Sequence, residues 1–131
     1  MADKQVIGEW VEKAEEDYLF AQKHLKDEKS FFGPLCFHCH QSGEKYLKAY
    51  LLSYGWELKK THDLIFLLST ALFYDPSFQE LSDAVKRLNA YYIETRYPTV
   101  WPTATEKSDA KEALDDALCI RNKVREALNF D

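Results

Sequence analysis

Several polar side chains in this chain have the types and spacing to hold an anion. Gln41, Lys45 and Lys48 recur at i, i+4 and i+7, so on a helix they share one side. Glu44 stands four residues before Lys48, which also permits an ordinary Glu–Lys pair on a solvated face. His62 lies in Thr61-His62-Asp63-Leu64, where a helix start would bring free backbone N–H groups and a favourable dipole to an anion. Its structural alternative is a hydrogen bond to a neighbouring loop. Arg96-Tyr97-Pro98 closes a later helix. A guanidinium there suits the helix C-terminus, and its fork also matches a phosphate or carboxylate. Tyr91, Tyr92 and Tyr97 around it suit stacking on a nucleoside, or a place in a core or dimer interface.

A second group, Cys36, His38, Cys39 and His40, has helical spacing for a metal or a cysteine nucleophile. Zinc needs about four ligands, and no second Cys-x-x-Cys or His-x-x-x-His pair exists to complete them. Small buried thiols are the simpler reading. No metal, no cofactor and no catalytic residue is expected.

These side chains need a scaffold, and composition says which kinds are open. The chain has 131 residues, 46% of them apolar and 15% aromatic, which suits one domain over 1–131 with a real core. Its net charge of −5 argues against binding extended nucleic acid. The 3 cysteines lack a framework spacing and fit a reducing compartment. There is no apolar leader after Met1 and no run long enough to span a membrane, so a cytoplasmic location is expected.

Apolar residues recur with helical period throughout. Ile7, Trp10, Val11, Ala14, Tyr18, Ala21 and Leu25 mark a first helix that fades over 27–30. Leu35, Cys39, Tyr46, Leu47, Tyr50 and Leu51 mark a second, with Gly43 on the apolar side for close helix approach and Gly55 as its C′ stop. Thr61 is the expected N-cap of a short third helix through Leu64, Leu67, Leu68, Ala71 and Leu72. Asp75-Pro76 opens a fourth helix that must end by Tyr97, ahead of Pro98. After a rigid loop over 99–104, Thr105 or Ser108 caps a fifth, from Ala110 to Leu128. Short links between long amphipathic helices predict an all-α fold: an antiparallel up-and-down four-helix bundle with one additional short helix.

The order of these pieces resembles the HEPN domain family (higher eukaryotes and prokaryotes nucleotide-binding). The resemblance rests on Trp10, Ala14 and Asp17; Phe37-His38, Gln41, Glu44-Lys45 and Leu47-Lys48-Ala49; Gly55; Thr61-His62-Asp63-Leu64; and Tyr92 with Arg96-Tyr97-Pro98. It implies a helical bundle that forms homodimers. It also implies a separately encoded minimal nucleotidyltransferase as partner, in some cases as a toxin–antitoxin pair. RNase members of the family carry an arginine followed after four to six residues by a histidine. Here every histidine, His24, His38, His40 and His62, precedes Arg96, so the binding role carries over better than the nuclease role.

Three functions follow as expectations. The first is a non-catalytic module that binds a nucleotide or other anion through Gln41, Lys45, Lys48, His62, Arg96 and Tyr97 and partners a minimal nucleotidyltransferase. The alternatives are a divergent HEPN RNase toxin acting at a dimer cleft and a purely structural dimerisation module.

Overall fold

The computed structural model describes residues 3–27, 31–96 and 106–130, with residues 93–96 as helical backbone only. The order is α1 (Lys4–Leu25), α2 (Phe32–Leu52), α3 (Leu64–Tyr74), a 3-10 segment (Pro76–Leu81), α4 (Ser82–Arg96) and α5 (Lys107–Leu128). The architecture is the expected all-α one: α1, α2, α4 and α5 form an antiparallel up-and-down bundle, and short α3 packs on α2 and α4.

Each long helix forms for local reasons and is placed by one apolar stripe. Asp3 caps α1, its carboxylate accepting from the Gln5 N–H at 2.9 Å, and Ile7, Val11, Ala14, Tyr18 and Ala21 bury one face. The corresponding stripe of α5 is Ala110, Ala113, Leu114, Ala117, Ile120 and Val124. Helix α2 touches all four other helices and is buried on most of its circumference. Gly43 sits at its tightest crossing. A Cβ there would lie 3.0 Å from Ile120 Cδ1 and 3.6 Å from Leu88 Cδ1, the close approach for which a small residue was expected.

Polar ties lock the register of α1, α2 and α5. Arg121 donates from Nε and Nη2 to both Glu15 oxygens at 2.6 and 2.9 Å, and the Tyr46 hydroxyl donates to Glu15 Oε1 at 2.6 Å. The Arg121 hydrogen bonds hold the Glu15 carboxyl below its usual range, against burial. Burial and the Glu15 bond together push the Tyr46 hydroxyl up to about 12.

Several helix ends differ from the sequence expectation. Asp63, not Thr61, is the N-cap of α3: its carboxylate accepts from the Ile65 and Phe66 N–H groups at 2.9 and 3.3 Å. Thr61 instead accepts from the Asp63 N–H at 3.2 Å. Neighbouring capping residues compete, and the one whose side chain reaches the first free amides wins. Helix α2 is capped at Ser53 rather than Gly55; Gly55, at φ 79, makes the following turn. Asp75-Pro76 opens a 3-10 segment before α4 proper. Glu106 precedes α5, its N–H donating to Asp109 at 3.3 Å, while Ser108 lies inside the helix and Thr105 lies outside the described residues. Among the described residues no helix is long and apolar enough to cross a membrane.

Candidate functional site

Two Lys–carboxylate–His trios lie along α2. In the first, Glu44 is the hub. Lys48 Nζ donates to its Oε2 at 3.0 Å, and His62 Nδ1 lies 2.8 Å from its Oε1. In the second, Asp17 on α1 is the hub, with Lys45 Nζ 2.6 Å from Oδ2 and His38 Nδ1 3.0 Å from Oδ1. The composition is the same but the setting is not. Glu44 and Lys48 side chains are only 4% and 5% exposed, whereas Asp17 and Lys45 are 14% and 27% exposed.

Local sequence explains the buried trio. Glu44, Leu47, Lys48 and Leu51 occupy i, i+3, i+4 and i+7, the spacing of an apolar stripe, so two charges stand where core residues are expected. A charge pair in that place must be fully hydrogen-bonded to be tolerated. The Trp10 ring of α1 covers the Lys48 ammonium at 5.8 Å from its centroid.

His62 is positioned by neighbours from two helices. His40, fully buried, donates from Nε2 to the His62 carbonyl at 3.0 Å, and the Gln41 amide lies 3.2 Å from the His40 Nδ1. Burial holds His40 below the usual histidine range, so it serves as a neutral donor. The Tyr92 ring of α4 stacks on the His62 ring at 4.5 Å and 19°. Asn89 accepts from the Leu64 N–H at 2.8 Å, fastening the same loop to α4.

The sequence-derived candidates are therefore divided. Gln41, Lys48 and His62 join one network through His40 and Glu44. Lys45 turns to Asp17 and lines an open cleft of about 510 Å³ along α1 with Glu9, Trp10, Glu12 and Lys13. Two carboxylates on that cleft oppose an anion. Arg96 ends α4, but its side chain and the whole of Tyr97 lie outside the described residues. Glu44, Asp17, His40 and Tyr92 are not among the expected ligand contacts, although Glu44 is read from the sequence as a partner for Lys48 and Tyr92 as a stacking ring. Glu44 carried a readable signal, a charge inside an apolar stripe. Asp17 did not, because its partners are 21 and 28 residues away.

Cysteine chemistry finds no support. Cys36 and Cys39 are buried, and burial raises the Cys39 thiol well above its usual range, away from the reactive thiolate. Among the described residues no three His, Cys, Asp or Glu side chains converge as for a metal. Elsewhere, α3 presents a different kind of surface. Its 11 residues include no charge, and Ile65, Phe66 and Phe73 are exposed on its outer side. The Ser69 and Thr70 hydroxyls there donate to the helix's own carbonyls, Ile65 and Phe66, at 2.9 and 3.0 Å.

The HEPN domain family matches this chain over residues 7–127. Among solved structures, TT1696 from Thermus thermophilus is similar with a TM-score of 0.76 and 31% identity, over 92% of this chain and 96% of that one. ST0689, described as an archaeal HEPN homologue, is similar with a TM-score of 0.73 and 25% identity, again over 92% and 96%. No protein in the curated comparison matches.

Proposed function

This chain belongs to the HEPN domain family, and on that premise we propose that it is a non-catalytic binding and interaction module that partners a minimal nucleotidyltransferase. The observation that carries the reading is the outer face of α3: exposed Ile65, Phe66 and Phe73 on a helix without a charged residue. An apolar helix face of this kind suits a protein partner. The module acts as a homodimer, in the setting of a toxin–antitoxin pair. A nucleotide binds on the side of His62, and Arg96 and Tyr97 are ligand contacts on the family resemblance alone. The polar cluster supports a binding role, because its charges are paired within the chain and serve to hold His62 in place.

The test is co-purification with a minimal nucleotidyltransferase encoded beside this chain, followed by light scattering. The wild type is expected to form a complex, and Phe73→Asp to lose it. A chain that ignores such a partner would sink the reading. Calorimetry with ATP tests the ligand arm, with binding expected to fall in His62→Ala and Arg96→Ala.

One observation favours a second reading. The His62 Nδ1 is engaged by a carboxylate while its Nε2 has no partner among the described residues, the arrangement of an oriented general base. Under this reading the chain is a divergent RNase. It predicts metal-independent RNA cleavage lost in His62→Ala, and intact RNA after incubation with pure protein rules it out.

A further inference from the structure

His62 is held far more firmly than an exposed residue needs for packing. Its carbonyl accepts from His40, its Nδ1 meets Glu44, and one face of its ring lies on Tyr92. The ring nonetheless remains 40% exposed. A side chain fixed on this scale and left open at one edge is arranged for presentation.

The proton inventory decides what that edge presents. Glu44 accepts the Lys48 ammonium on Oε2 at 3.0 Å and so acts as a carboxylate, an acceptor only. The proton in the 2.8 Å contact between Glu44 Oε1 and His62 Nδ1 therefore belongs to the ring. In its neutral form the His62 imidazole has a single N–H. With that hydrogen on Nδ1, Nε2 carries a bare lone pair. No hydrogen-bond partner meets it among the described residues.

We propose that His62 Nε2 is the acceptor for a ribose hydroxyl, so that a nucleotide bound here is recognised at His62 through its sugar and not through its phosphates. This rests on the nucleotide-binding reading above and narrows it. Phosphate oxygens at neutral pH are mainly acceptors, and against a lone pair they have no hydrogen to share. Contact with phosphate would require a hydrogen on Nε2 as well. A hydroxyl donates to Nε2 with no proton taken from solvent. Glu44, Lys48 and His40 are here positioning residues, and of this cluster the ligand touches only the His62 edge.

Calorimetry compares ATP, 2′,3′-dideoxyATP and inorganic tripolyphosphate, each in two buffers of different ionisation enthalpy. Loss of both hydroxyls is expected to weaken binding by about five- to tenfold, the scale of one neutral hydrogen bond. ATP binding should take up no proton through His62, and His62→Phe, which keeps a ring against Tyr92, should erase the preference for ribose. Equal affinity for ATP and dideoxyATP overturns the inference and leaves the nucleotide-binding reading standing. So does proton uptake that disappears in His62→Phe. Failure of all three compounds to bind overturns both. A long-range ¹H–¹⁵N spectrum of the imidazoles checks the premise directly in the wild type: the hydrogen is expected on His62 Nδ1, and a hydrogen on Nε2 overturns the inference without touching the binding reading.

Discussion

The two trios on α2 are a controlled comparison within one molecule. Each joins a lysine of α2, a carboxylate and a histidine Nδ1 at 2.6 to 3.0 Å. The Asp17 trio bridges α1 and α2 at a part-buried position, where Lys45 and His38 still reach water. In the Glu44 trio the Glu44–Lys48 pair is buried beneath Trp10, and only His62 reaches water. Geometry alone therefore does not set the worth of an ion pair; the alternative open to each charge does. Lys45 released from Asp17 meets solvent, but Lys48 released from Glu44 meets Trp10 and the core.

The largest predicted effect follows from that asymmetry. Lys48→Met leaves Glu44 charged and short of one partner, and urea unfolding is expected to show a loss of about 3–5 kcal/mol. Asp17→Asn should cost only about 1 kcal/mol at pH 7. A larger loss at Asp17 than at Lys48 would break the comparison.

Acid unfolding sharpens it further. Burial raises the Asp17 carboxyl, but hydrogen bonds from His38 and Lys45 outweigh burial and leave it below its usual range. A lowered folded value means that the contribution is present above the unfolded value and lost as pH falls. The gap between wild type and Asp17→Asn should therefore be full at pH 5, start to shrink near about pH 3.9 and vanish only as pH falls through the lowered folded value. His40 behaves in the same sense at higher pH. Burial lowers its folded value, so its stabilising neutral form is secure above about pH 6.5 and becomes a cost below it. His40→Gln keeps an N–H donor without that titration. Its stability measured in urea should fall less between pH 7.5 and 5.5 than that of the wild type, and an unchanged slope would remove His40 from the account.

The smallest effect is expected at the presented ring. His62→Ala exposes Glu44 to water rather than stranding it, and should cost no more than about 1 kcal/mol. A loss as large as that of Lys48→Met would make His62 part of the frame it is held by.

The bundle was legible because helical period is a local property: the stripes of α1 and α5 read directly as their buried faces, and Gly43 as the point of close approach. Caps were less legible. Thr61 and Asp63 are both good capping residues, and only the path of the chain into α3 chooses between them. Of the candidate site, the Glu44–Lys48 pair was visible as an i, i+4 spacing, but its burial depends on Trp10 and a loop well apart from it in sequence. The Asp17 trio depends on the antiparallel register of α1 against α2, which no local pattern encodes. The expectation for Arg96 and Tyr97 falls on side chains outside the described residues.

The central claim is that the deeper burial of the Glu44–Lys48 pair makes it a frame, while the part-exposed Asp17–Lys45 pair is an ordinary tie. A double-mutant cycle in urea measures it directly, with Glu44→Met and Lys48→Met against Asp17→Asn and Lys45→Met. The account predicts that the buried pair couples by about 2 kcal/mol or more, because the double variant recovers much of what each single one loses, and the part-exposed pair by less than about 1 kcal/mol. Equal coupling in the two cycles would contradict it.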